Sequence, residues 1–216
     1  MPKSHPVATT KDETLKAYRG KRDFRGTPEP RGGKKPKDGP HFVVQKHAAR
    51  QVHYDFRLEV EGVLKSWAVP KGPSMNPAEK RLAVPVEDHP LEYAKFEGVI
   101  PEGNYGAGTV IVWDAGSFRN LNQKDGESVP MEQALRDGHA DFWLEGKKLR
   151  GGFALIQTRP RVTRRREWWL LVKKNDSEAD AKRNPVRDEP TSVISGLTME
   201  ELREKETKRH IENFLR

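Results

Sequence analysis

Between His41 and Lys174 the chain is a succession of short segments rich in Val, Leu, Phe and Trp, each cut off by Gly, Pro or Asn before it reaches helical length. This pattern predicts strands at 41–47, 52–59, 64–69, 82–86, 109–113, 141–144, 152–158 and 168–173. Regularly spaced short strands must bury one face against each other, and closed barrels or sandwiches do so without long helices. The expected fold is therefore mainly β: a compact closed β-barrel of about eight strands over residues 41–175, with one or two short flanking helices. One helix is predicted at 130–136, with Pro130 at its start and Gly138 just past its end. A second is predicted after Thr198, where Thr198-x-x-Glu201 spells a capping box. Its apolar positions, Met199, Leu202, Ile211, Phe214 and Leu215, form a poor face, so only partial docking is expected.

The rest of the chain reads as appendages. Hydrophobic residues are 34% of the 216 and charged residues 33%, enough for a packed core over part of the length only. Residues 1–40 form a basic arm with 11 basic and 5 acidic side chains, ending in the Gly/Lys-rich stretch 32–40, which reads as a solvated linker. Residues 41–175 carry a net charge of +4, and the tail 176–216, with its helix, carries −2. The overall +8 favours a polyanionic partner such as nucleic acid. The absence of cysteine excludes a disulfide scaffold, a thiolate nucleophile and Cys-ligated zinc or iron–sulfur sites. No apolar stretch approaches the ~18 residues of a membrane span, and the N-terminus lacks the apolar core of a secretory signal. A soluble, cytoplasmic, monomeric protein is expected.

The most informative segment is Val52-His-Tyr-Asp-Phe-Arg-Leu58. With period-2 alternation, Val52, Tyr54, Phe56 and Leu58 share one face, and His53, Asp55 and Arg57 share the other. The preceding strand turns Gln45 and His47 the same way, and a short connection suits antiparallel neighbours. His47, His53 and Asp55 are therefore expected to converge. Two imidazoles and a carboxylate make a mixed site with open positions, suited to Mn²⁺, Fe²⁺ or Zn²⁺. The plainer alternative is a polar sheet face with a His–Asp hydrogen bond and an Asp–Arg ion pair.

Arg57, Lys71, Arg81, His89 and Tyr93 recur near strand ends around this set, with Glu87 alternating onto the His89 face. Metal plus cations is what phosphoryl transfer requires, because charge spreads over the phosphoryl oxygens and the leaving oxygen needs a proton. The loop 103–108 is not a phosphate-binding P-loop, because no Lys-Ser/Thr follows and a strand comes next. The run 159–166, with Arg161, Arg164 and Arg165, is the candidate contact to a nucleic-acid backbone; the alternative is an ordinary solvated hairpin loop. Trp168 and Trp169 read as core and barrel surface rather than as base-stacking platforms.

Several segments in order resemble the 3′-phosphoesterase domain of bacterial DNA ligase D: Phe42-Val-Val-Gln-Lys-His47, His53-Tyr-Asp-Phe-Arg-Leu58, Trp67-Ala-Val-Pro-Lys-Gly-Pro73, Arg81-Leu-Ala-Val84, Glu87-Asp-His-Pro-Leu-Glu-Tyr93 and Pro101-Glu-Gly-Asn-Tyr-Gly-Ala-Gly108. Tyr18-Arg-Gly-Lys-Arg-Asp-Phe24 and Thr27-Pro-Glu-Pro30 look like that family's leading segment. The resemblance implies a β-barrel enzyme that removes a 3′-terminal ribonucleotide and hydrolyses the remaining 3′-phosphate to a 3′-OH, with Mn²⁺ preferred. It implies His47, His53 and Asp55 as metal ligands, and Arg57, Lys71, Arg81 and His89 on the scissile phosphate. Tyr93, Glu87 and Gln45 would complete the site, and Arg22, Asp23 and Glu29 would fold back over it, so the arm is expected to be partly ordered. Expected partners are DNA or RNA/DNA primer 3′ ends, with a separate DNA ligase and a Ku-like end-binding protein if the domain works alone. Two other readings remain open: a basic DNA-end-binding barrel without catalysis, and a non-haem iron oxygenase using His53-x-Asp55 with His89.

Overall fold

The computed structural model describes residues 11–33, 40–158 and 168–215. Strands are β1 (His41–Ala48), β2 (Val52–Val60), β3 (Val63–Val69), β4 (Lys80–His89), β5 (Gly98–Ile100), β6 (Gly108–Asn120), β7 (Gln123–Lys124), β8 (Glu127–Ser128), β9 (His139–Gly146), β10 (Arg150–Thr158) and β11 (Trp168–Lys173). Hydrogen bonding runs β1-β2-β3-β4-β11-β10-β9-β6 and returns from β6 to β1. Eight antiparallel strands thus close into a barrel, as the alternation predicted. Strand β6 is long enough to be shared: its first residues pair with β5, its last with β9, and β1 lies along its other edge.

The interior is dry and aromatic. Phe42, Phe56, Trp113, Phe142 and Phe153 are essentially unexposed, and every barrel strand contributes to this cluster. On β2 the contributors are Tyr54, Phe56, Leu58 and Val60, so His53, Asp55 and Arg57 point outward. That outer face is not the open polar surface its composition suggests. Val43, Val110 and Val112 join Tyr18, Leu64, Tyr93, Phe96 and Ile100 in a second apolar cluster. The arm, the 3₁₀ turn Leu91–Lys95 and β5 lie over it.

The helices are α1 (Lys11–Thr14) and α2 (Lys16–Gly20) in the arm, α3 (Met131–Arg136), α4 (Pro185–Asp188) and α5 (Met199–Phe214). The capping box of α5 forms in both directions between Thr198 and Glu201. Only its start docks, with Met199 and Leu202 buried against Ile111, while Ile211 stays half exposed. Trp113 Nε1 and the Lys148 ammonium both donate to the Glu189 carbonyl, fastening the chain that leads to it. Among the described residues no helix is long and apolar enough to cross a membrane. The short elements α1, α2, α4, β5 and the β7–β8 hairpin were not anticipated, because two to five residues carry no periodicity.

Gly116 and Gly146 face each other across β6 and β9. A Cβ on Gly116 would lie 2.1 Å from the Glu145 backbone oxygen, which the sheet cannot release. Gly116→Ala is expected to cost about 2–3 kcal/mol in urea unfolding. Gly20→Ala, with nothing within 4 Å of its added methyl group, is the near-neutral control.

Candidate active site

The register of β1 on β2 sets His47 opposite His53, Gln45 opposite Asp55 and Val43 opposite Arg57. Opposed residues share a face, so the predicted convergence follows from pairing alone. His47 Nδ1 lies 3.7 Å from Asp55 Oδ2, and His53 Nε2 lies 3.7 Å from Asp55 Oδ1. One ligand atom from each residue falls within 4.8 Å of the others.

Backbone carbonyls fix which nitrogens face inward. His47 Nε2 is 2.9 Å from the Gly106 carbonyl, and His53 Nδ1 is 3.1 Å from the Gln51 carbonyl. A carbonyl oxygen only accepts, so each of these nitrogens carries the proton and the opposite one keeps its lone pair beside Asp55. Burial acts to raise the Asp55 carboxyl, but the Arg57 guanidinium beside it holds it well below the usual carboxylate range. Two imidazole lone pairs and an ionised carboxylate fit a divalent ion, with positions left for water and substrate.

Arg57 joins this trio to everything around it. Its Nε donates to Gln45 Oε1 at 2.8 Å, Nη1 to Ser66 Oγ at 2.8 Å and Nη2 to Asp55 Oδ2 at 3.1 Å. Nη1 also lies 2.9 Å from His89 Nδ1. His89 Nδ1 is 2.8 Å from the Glu87 carbonyl, which only accepts, so this nitrogen carries its proton and Arg57 keeps one N–H on each Nη without an acceptor. Gln45 is a buried spacer, its amide donating to the carbonyls of Tyr93 and Phe96 at 3.0 and 2.9 Å. Burial first, then the charges of Arg57 and Arg22, hold the His89 imidazole well below the usual histidine range. His89 therefore rests neutral.

The arm closes the network from above. Arg22 pairs with Glu29 at 2.9 Å and Glu87 at 3.2 Å, stacks on Tyr18 at 3.9 Å and reaches within 3.4 Å of His89 Nε2. Burial and the neighbouring Glu29 carboxylate push the Tyr93 hydroxyl well up, so it stays protonated and donates to Glu29 at 2.9 Å. Lys21 bonds both Glu87 and Tyr105. Burial works against ionisation of Glu87, yet its own backbone amide with Lys21 and Arg22 holds its carboxyl below the ordinary value.

Other candidates fall elsewhere. Asp23 is exposed and pairs with Arg25, not with the buried group. Lys71 is exposed, and Arg81 pairs with Glu79; neither bonds the metal trio. Both still lie at its end of the barrel, Lys71 two residues past Val69, the partner of Tyr54, and Arg81 three before Val84, the partner of Ala68. Arg161, Arg164 and Arg165 lie outside the described residues, as does 34–39 of the linker. The oxygenase triad is not assembled: His89 sits beyond Arg57, and His47 takes the place it would need. Sequence reading gave no site role to Ser66, Tyr18, Lys21 or the Gly106 and Gln51 carbonyls, although Tyr18, Lys21 and Gly106 lie inside segments that carry the family resemblance.

Titration with Mn²⁺ is expected to fit one site, and Asp55→Asn to weaken it at least ~100-fold. A second expectation concerns acid stability. His89 has a folded pKa depressed from 6.5, so its stabilising contribution is present above pH 6.5 and lost as pH falls below it. Urea unfolding free energy should fall by up to about 1.4 kcal/mol per pH unit there, and His89→Gln should flatten that slope.

A family profile describing the DNA Ligase D 3′-phosphoesterase domain matches residues 45–157, which include the metal trio, Arg57 and His89. The multifunctional non-homologous end joining protein LigD of Pseudomonas aeruginosa is 48% identical over 204 residues, 92% of this chain and 22% of that protein. The LigD protein of Mycobacterium tuberculosis is 47% identical over 155 residues, 71% of this chain and 19% of that protein. That of Mycolicibacterium smegmatis is 46% identical over 151 residues, 68% of this chain and 19% of that protein. The chain thus spans about a fifth of the length of these curated relatives. It belongs to the DNA ligase D 3′-phosphoesterase domain family.

Proposed function

We propose that this chain is a Mn²⁺-dependent phosphoesterase that heals DNA 3′ ends, removing a 3′-terminal ribonucleotide and then hydrolysing the 3′-phosphate to a 3′-OH. The observation that carries the reading is the contact of a candidate metal-ligand trio with a buried guanidinium, at 3.1 Å between Arg57 and Asp55. The relatives are named for non-homologous end joining, which supports a reaction in end processing before ligation. Its partners are then primer 3′ ends in the cytoplasm, a DNA ligase and a Ku-like end-binding protein.

His47 Nδ1, His53 Nε2 and Asp55 hold the ion, which when bound supplies Lewis-acid stabilisation of phosphoryl oxygens and an acidified water. Arg57 offers a remaining N–H and its full charge to the same phosphoryl group. His53, part-exposed where His47 and Asp55 are buried, marks the open side of the site. Lys71 and Arg81 lie toward that end, where an approaching phosphate meets them first. His89 is kept neutral by burial and two guanidinium charges. An arriving phosphate offsets those charges, so substrate binding itself favours protonated His89 and readies it to donate a proton or a hydrogen bond.

Phosphate release from a 3′-phosphorylated primer should need Mn²⁺ and stop on chelation. Asp55→Asn and His53→Ala should each lower it at least ~100-fold, and Arg57→Lys by about 10². Undiminished release by Asp55→Asn would refute the metal assignment, and Mn²⁺-independent binding without release would favour a non-catalytic end-binding barrel.

A further inference from the structure

The outer face of the barrel has a second half that the arm does not roof. Pairing sets Asp55 opposite Ala68 and Ala68 opposite Val84. Continuing the Trp169–Ala83 register by one residue sets Val84 opposite Trp168. Trp169 and Ala83 belong to the interior cluster, so Trp168 and Val84 point outward with Asp55 and Ala68. One cross-strand row therefore runs from a metal ligand over two small apolar side chains to an indole. In the adjoining row Leu82 pairs with Leu170, widening the floor.

Trp168 is 51% exposed and Leu82 36%. No ring or cation stacks on the indole among the described residues; only its backbone carbonyl is engaged, by Thr158 Oγ1 at 2.9 Å. Trp169 fills the core beside it, so packing does not account for a second, half-wet tryptophan. Lys71 and Lys80 border the floor on its strand-end side, both exposed, with Lys71 near enough to Glu79 to help lower its carboxyl.

We propose that this floor carries the unpaired 3′-terminal stretch of the nucleic-acid strand being processed, with one base stacked on Trp168. The inference rests on the phosphoesterase reading. Three interstrand spacings of about 4.8 Å put Trp168 about 14 Å from Asp55. At 3.4 Å per stacked nucleotide that is about four steps, and fewer for a stretched strand, so the stacked base lies two to four nucleotides from the scissile phosphate. An indole accepts any base, the apolar floor suits sugars and base edges, and the two lysines suit the phosphates. Continuity with the metal centre selects a strand end over a second protein.

The test uses the full chain and a fluorescein-labelled primer whose last four nucleotides are unpaired. Its 3′ end is a phosphonate, in which carbon replaces the ester oxygen and blocks turnover. Trp168→Ala is expected to weaken anisotropy-detected binding about 5- to 100-fold, with Trp168→Phe within about 3-fold of wild type and both thermal midpoints retained. On the cleavable 3′-phosphate, Trp168→Ala should raise KM far more than it lowers kcat. A single abasic nucleotide two to four positions from the end should weaken wild type but not Trp168→Ala. This last comparison on wild type decides the matter even if Trp168→Ala folds poorly. Equal binding by wild type and Trp168→Ala, indifference of wild type to every abasic position, or a change only in self-association would each overturn the proposal. Trp168-dependent binding of the phosphonate without release from the 3′-phosphate would leave the stacking standing and sink the reaction alone.

Discussion

The site depends on Arg57, a guanidinium 2% exposed on the outside of a barrel. A buried cation is tolerable only when its charge is paired and its protons are placed. Here Asp55 supplies the charge, Gln45 and Ser66 take two more N–H groups, and His89 lies alongside at 2.9 Å. Each partner is thereby held for a second purpose. Asp55 is kept ionised, as a candidate metal ligand must be, Gln45 ties β1 to the turn that carries Tyr93, and His89 is kept neutral. The network also explains the placement of the arm: without Tyr18, Arg22 and Glu29 above it, this group would face water, and its screening would weaken every pair in it.

The barrel and the trio were legible for the same reason. Period-2 alternation assigned Tyr54 and Phe56 to one face and His53, Asp55 and Arg57 to the other, and the interior cluster follows that division. A tight connection between two alternating strands also fixed which residues oppose each other, so His47 reached His53 without any knowledge of loops. What alternation cannot report is whether the outward face meets solvent. That was decided by residues distant in sequence, with Arg22 contacting Glu87 across 65 positions and Tyr93 contacting Glu29 across 64. No periodicity links such segments. The placement of Arg22 and Glu29 was suggested by family resemblance alone, and the same resemblance put Asp23 beside them, where the structure turns it to Arg25.

Lys71 and Arg81 show a related limit. As cations near strand ends they belong to the right end of the barrel, but their side chains are not drawn into the buried group. The difference from Arg57 lies in what surrounds them. Arg57 is flanked on β1 and β3 by Gln45 and Ser66, side chains of the right length to take its protons. Arg81 finds one carboxylate, Glu79, and its Nε is buried without a partner.

Why the chemistry sits outside the barrel follows from volume. An eight-stranded barrel has an interior only wide enough for side chains, and here Phe42, Phe56, Trp113, Phe142 and Phe153 fill it. A polyanionic strand and a hydrated ion have no entry there. The outer face gives them room but no low-dielectric surroundings, and the arm, the 3₁₀ turn and β5 supply those on one half only. The metal trio lies on the boundary, with Arg57 and His89 on the roofed side and the part-exposed His53 beside the open floor. Such a boundary lets the electrostatics of a buried site act on a phosphate that arrives attached to a long chain, because only the terminal group has to enter. The barrel supplies the pairing register, the arm supplies the low-dielectric surroundings, and the bare half of the sheet is where the proposed strand would lie.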